Sequence, residues 1–196
     1  MNTADHSSRQ CARVIFDRWL EADDEGVRSE CFKELECLLD DDDPTGEIHY
    51  IYGQIIYDKQ CESNGDTDLA LVHFLSAVAT NPAHYIAHLY AGHCYHDKRR
   101  YREALGEYEA VDIELFRSEY PIWRYVKYLE QKGECLYHVG QRANAFQIFE
   151  EVMKFYEDTP YDDLVDPVEV FNVIDHSHPI AKRLKVRIDD YYHTVG

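Results

Sequence analysis

Ala91-Gly92-His93-Cys94-Tyr95, followed by Ala104, Tyr108 and Val111, is the stretch whose spacing decides the fold. The alanine at 104 stands twelve residues after the glycine, and an aromatic stands four residues after that alanine. Gly133, Ala145 and Phe149 repeat both intervals downstream. Upstream, Gly53, Ala70 and Phe74 keep the interval of four but place seventeen residues between glycine and alanine. The extra residues fit Glu62-Ser63-Asn64-Gly65-Asp66-Thr67, whose composition is that of a loop.

Each copy reads as two helices joined by a turn. Glycine in the first helix and alanine in the second suit a close crossing, where larger side chains would force the helices apart. The aromatic fills the space beside that crossing. Three aligned copies resemble the tetratricopeptide-repeat (TPR) family, whose first helix carries Leu-Gly then Tyr, and whose second carries Ala, an aromatic, Ala and a closing Pro. The matching residues are Tyr52-Gly53, Ile56, Ala70, Phe74, Ala77 and Pro82, then Ala91-Gly92, Tyr95, Ala104, Tyr108 and Val111, then Lys132-Gly133, Leu136, Ala145, Phe149 and Val152. The chain departs from the family where a Trp is usual, with His49, His88 and Leu129, and where Pro closes the repeat, with Phe116 and Glu157. Gly92 and Gly133 are 41 residues apart, against a family period of about 34. Either the segment around Glu119-Tyr120-Pro121 is extended or its flanking helices are longer. A helical bundle without repeats is the competing reading.

The resemblance implies an all-α, TPR-like solenoid of antiparallel helix pairs, with repeats at about 46–82, 85–118 and 126–158. Residues 1–45 read as an N-terminal helix pair, a cap or degenerate repeat. Cys11, Val14, Ile15, Trp19 and Leu20 form one apolar series, and Val27, Cys31, Leu35, Leu38 and Leu39 a second. The run Asp40-Asp41-Asp42-Asp43 lacks the spaced ligands of a calcium loop and reads as a solvated connector. Residues 159–196 read as a loop followed by a capping helix from Pro179, carrying Ile180, Leu184 and Ile188 with Lys182, Arg183, Lys185 and Arg187.

Composition agrees with helices. The 196 residues include nine Gly and six Pro, too few for a turn-rich β fold. Sixteen of the aromatics are Tyr, which packs its ring while keeping its hydroxyl hydrated. The net charge of −18 repels nucleic acid and anionic lipid and favours encounter with basic partners, although such acidity also serves plain solubility. No secretion signal or membrane-spanning run is visible, and six cysteines without C-x-x-C spacing read as free thiols, so a cytoplasmic location is expected.

In TPR proteins the first helices line a concave groove that takes the ligand. Carried onto this chain, the groove comprises Glu47, Tyr50, Gln54, Tyr57 and Asp58, then Tyr90, His93, His96 and Asp97, then Glu130, Glu134, Tyr137 and His138, with Ile51, Ile86, Leu89, Lys127 and Gln131 among them. Their helical spacing places those of each helix on one face. Carboxylates and tyrosines together suit a partner with a basic segment. The alternative is that several of these tyrosines pack against neighbouring repeats. The carboxylate clamp of chaperone-binding TPR proteins needs Lys and Asn where this chain has Tyr50, Gln54 and Tyr90.

No catalytic residue, cofactor or metal is expected. His84 and His88 share a helix face, and His93, Cys94, His96 and the pair His176 and His178 lie close in sequence, but no zinc signature joins them. No phosphate loop, nucleophile elbow or dinucleotide fingerprint occurs. Two roles remain: a general protein-interaction module, or a dedicated acidic immunity protein or secretion-type chaperone that sequesters one basic toxin or effector.

Overall fold

The structure, a computed structural model, describes residues 3–41, 43–58, 66–158 and 168–195. All secondary structure among them is helical: α1 (Thr3–Glu21), α2 (Glu25–Glu36), α3 (Glu47–Asp58), α4 (Thr67–Thr80), α5 (Tyr85–Asp97), α6 (Tyr101–Glu109), α7 (Ile113–Glu119), α8 (Ile122–His138), α9 (Arg142–Asp158), α10 (Val168–Val173) and α11 (Pro179–Val195). The chain forms two compact units, Met1–Cys94 and Tyr95–Gly196, with the boundary inside α5.

In the first unit, Gly53 on α3 faces the α4 ring of Phe74. A methyl group added at Gly53 would lie 3.0 Å from Phe74 Cε1 and 3.2 Å from His73 Cβ. Ile48, Ile51, Ile55, Ala70, Phe74 and Ala77 are buried around this crossing. Asp66 caps α4, accepting from Leu69 N at 3.0 Å, worth about 1 kcal/mol for a surface cap. The rest of the expected loop insert, Glu62–Gly65, lies outside the described residues.

Asp43 is not a solvated connector residue. Its Oδ2 accepts from Ile48 N at 2.7 Å and its Oδ1 from Thr45 N at 3.1 Å, so it builds the entry to α3. Asp40 and Asp41 are exposed, and Asp42 lies outside the described residues. On α1 the buried stripe is Ala12, Ile15 and Trp19. Val14 and Leu20, expected inward, are 61% and 54% exposed; α1 packs on α2 and α3 through the face that carries Ala12, Ile15 and Trp19. Cys31 and Leu35 on α2 are buried as their spacing predicts, while Cys11 and Cys37 are exposed thiols.

In the second unit, α8 and α9 repeat the crossing more tightly. A methyl at Gly133 would come within 2.5 Å of Phe149 Cε1. The long interval between Gly92 and Gly133 contains α7, capped by Asp112 through Leu115 N at 3.0 Å, and the part of the 17-residue α8 that precedes Gly133. On α11, Ile180, Ala181 and Leu184 are buried. Arg183 reaches from it to α9, pairing with Glu150 at 2.7 Å and Glu157 at 2.6 Å.

Candidate functional site

The residues expected to line a groove fall into two groups. In the first unit most turn inward. Glu47 is 9% exposed, its carboxylate 2.9 Å from Arg13 Nη2 and 3.6 Å from His84 Nε2. Tyr50 and Tyr90 are buried with their ring centroids 5.9 Å apart, and Gln54 Nε2 donates to the Tyr90 hydroxyl at 3.3 Å. Ile51, Ile86 and Leu89 belong to the core. Tyr57, Asp58 and His93 are half-buried. Tyr57 and His93 both stand edge-on to Tyr90, at 5.8 and 5.6 Å between centroids. Thus the stripe on α3 and α5 that would face a partner also supplies much of the unit's interior.

In the second unit, Glu130 and Gln131 are likewise buried. Tyr156 donates to Glu130 Oε1 at 2.6 Å, and Tyr108 donates to Gln131 Oε1 at 3.1 Å. One turn further along α8 the character changes. Glu134 lies between two imidazoles, with Oε2 3.0 Å from His96 Nε2 and Oε1 3.6 Å from His138 Nε2. The nearer approach lies off the line of the His96 N–H, which makes it an ion pair more than an aligned hydrogen bond. His96 Nδ1 is 3.5 Å from the Asp97 carboxylate.

Two tyrosines frame the cluster. Tyr101 stacks on His138 with centroids 4.3 Å apart and planes within 9°, and it stands edge-on to His96. Tyr137 meets His138 and Phe146 edge-on, under the Arg142 guanidinium. Sequence spacing does not place Tyr101 in the groove, because it opens α6, a second helix, where no groove position is expected.

Electrostatics fix the charge state here. Burial opposes a charge on His96, but the contacts to Asp97 and Glu134 outweigh it and raise its pKa to about 9. An imidazole held protonated at neutral pH cannot act as a general base there. Burial pushes the neighbouring Cys135 thiol up to about 12, so it offers no thiolate. The arrangement is a hydrogen-bonding and ion-pairing surface of carboxylates, imidazoles and phenol rings.

The histidines that lie close in sequence are dispersed in space. His88 Nε2 contacts Pro82 O at 3.2 Å, His84 faces Glu47, and His178 stacks on Phe146 at 3.7 Å. Among the described residues no three His, Cys, Asp or Glu side chains are arranged to hold a metal ion, and no helix is long and apolar enough to cross a membrane.

No protein-family model matches the chain, and no curated protein does. Among solved structures it is similar to the one described as "MamA RS-1 ArsTM double mutant", a TPR-like protein, with a TM-score of 0.67 at 16% identity over 95% of this chain and 96% of that one. The fold of this chain is therefore all-α and TPR-like.

Proposed function

We propose that this chain is a protein-interaction module whose partner presents a basic segment to the acidic, tyrosine-framed faces of its first helices. The observation that carries this reading is the cluster at the C-terminal end of α8. Asp97, Glu134, Tyr101, Tyr137 and His138 meet there at half-buried or exposed positions. Half-burial strengthens an ion pair with an incoming Lys or Arg, and the tyrosine rings add cation–π contact. In the first unit, Tyr57, Asp58 and His93 offer the same chemistry, while Tyr50, Gln54 and Tyr90 serve the core. The TPR-like fold supports protein binding in general, and the charge of −18 supports a basic partner in particular.

Affinity capture from native extract tests this. Replacing Asp97, Glu134 and Tyr137 together by Ala should abolish capture of a partner that wild type retains at low salt and releases at high salt. Undiminished capture by the triple variant would reject the surface. A single basic protein held in a complex that dissociates over hours would favour the dedicated immunity or chaperone role, to which the charge also points.

A further inference from the structure

Glu134 already holds a cation, and that cation belongs to the chain itself. His96 enters from the end of α5 with Nε2 3.0 Å from Glu134 Oε2, while its Nδ1 lies 3.5 Å from Asp97 Oδ1. His138, one turn along α8, approaches the other oxygen of Glu134 at 3.6 Å. Neither approach to Glu134 is an aligned hydrogen bond. The nearer lies off the N–H line and the farther is too long. Both carboxylate oxygens therefore keep lone pairs for a better donor. Asp97 and His138 form the exposed rim of the cluster, and His96 and Glu134 lie half-buried behind them.

The surrounding charges set what can enter. His96 is faced by Asp97 on its own helix, by Tyr101 edge-on from α6, and by Glu134 from α8. Cys135, next to Glu134, stays a neutral thiol. The turn after α5 carries Lys98, Arg99 and Arg100, and Arg100 is paired with Glu103 at 3.1 Å. Burial opposes a charge on His96, but Asp97 and Glu134 raise its pKa to about 9, so its proton is in place at pH 7.

We infer that one arginine of the partner pairs with Glu134 and that His96 gives up its proton as it does so, which rests on the cluster being the site for a basic segment. A guanidinium sets two parallel N–H groups on the two oxygens of a carboxylate, an alignment that His96 does not reach. Two cations on one carboxylate repel each other, and the imidazole is the one that yields, because a guanidinium keeps its proton throughout. The released proton goes to solvent, and neutral His96 is left between Asp97 and the occupied Glu134. The stacked rings of Tyr101 and His138, 4.3 Å apart, give the planar guanidinium an aromatic surface beside the carboxylate. Binding therefore strengthens as pH rises towards 9, by about tenfold per pH unit for one proton released.

Isothermal titration calorimetry of the full chain with acetylated, amidated tetra-arginine tests this at low salt. At pH 8 the heats in Tris and in phosphate should differ by the ionisation heat of about one proton. Affinity should rise about tenfold from pH 7 to pH 8. His96→Gln should release no proton and bind equally at both pH values. Binding by wild type without proton release, or a pH slope that survives in His96→Gln, overturns the inference and leaves the basic-segment reading standing. No binding by wild type, or binding undiminished in Glu134→Gln, overturns both. Should His96→Gln fail to fold, the proton count on wild type decides alone.

Discussion

His49 Nδ1 lies 3.0 Å from His73 Nδ1, joining α3 to α4 through two imidazoles of which one must donate and the other accept. The pair can form only while at least one ring is neutral. Burial, and then the proximity of His49, hold His73 down at about 4; burial likewise lowers His49, against the attraction of Asp43.

The sign of the pH dependence follows. Between pH 6.5 and 4 the unfolded chain binds protons that the folded pair refuses, so the folded state loses stability as pH falls through that window. Because both rings reach solvent and are screened, the expected loss is about 1–2 kcal/mol, below the full shift. Urea unfolding at pH 7 and pH 5 measures it. His73→Phe should flatten the difference between the two pH values; an equally steep loss in that variant would assign the effect to other groups.

His96 works in the opposite direction. Its pKa is raised to about 9, so its contribution is complete below about 6.5 and disappears as pH rises through 9. Stability should therefore fall between pH 7 and pH 9.5 by about 1–2 kcal/mol, and His96→Gln should remove that slope. Wild type and variant compared by thermal unfolding across this range give the measurement.

Two glycines on helices should respond to alanine with opposite signs. Gly133→Ala drives a methyl into the fully buried ring of Phe149, and the strain should outweigh the gain in helix propensity and destabilise by about 1–3 kcal/mol. Gly106→Ala meets open space and should stabilise by about 0.5–1 kcal/mol. Chemical denaturation of both variants at pH 7 decides this, and a destabilised Gly106→Ala would mean that the space beside Gly106 is filled in solution.

Much of the fold was legible because steric necessity leaves residue types behind. A side chain at 133 would run into the Phe149 ring and one at 53 would press tightly on Phe74, so Gly53 and Gly133 mark their crossings in the sequence. α7 left no such mark, since seven residues make under two turns and show no periodicity. Val14 and Leu20 misled because an apolar series does not say which of its members meet a partner helix. The polar stripe misled more instructively. Gln54, Glu130 and Gln131 look like surface residues, but each meets a tyrosine hydroxyl in the interior. A tyrosine-rich core can bury such groups, and composition alone cannot say which tyrosines do so. Tyr101 was illegible for a related reason: its stack is with His138, 37 positions away on another helix.

Arg99 and Gly140 occupy the same place in their turns, five residues before Ala104 and Ala145. Both have positive φ, 56° and 88°, and the bonds around them correspond. Arg99 N donates to His96 O and Arg100 N to Tyr95 O, as Gly140 N donates to Tyr137 O and Gln141 N to Leu136 O. This is a helix C-terminus closed by a left-handed residue, where a Cβ is strained by about 1–2 kcal/mol. Arg99→Gly relieves that strain but frees the unfolded backbone, so the net gain should be about 0.5–1 kcal/mol. Gly140→Ala, which imposes the strain, should cost at least about 1 kcal/mol by the same reasoning. Urea midpoints for the two variants should move in opposite directions. If Arg99→Gly fails to raise its midpoint, contacts of the arginine side chain must outweigh the relief of its backbone.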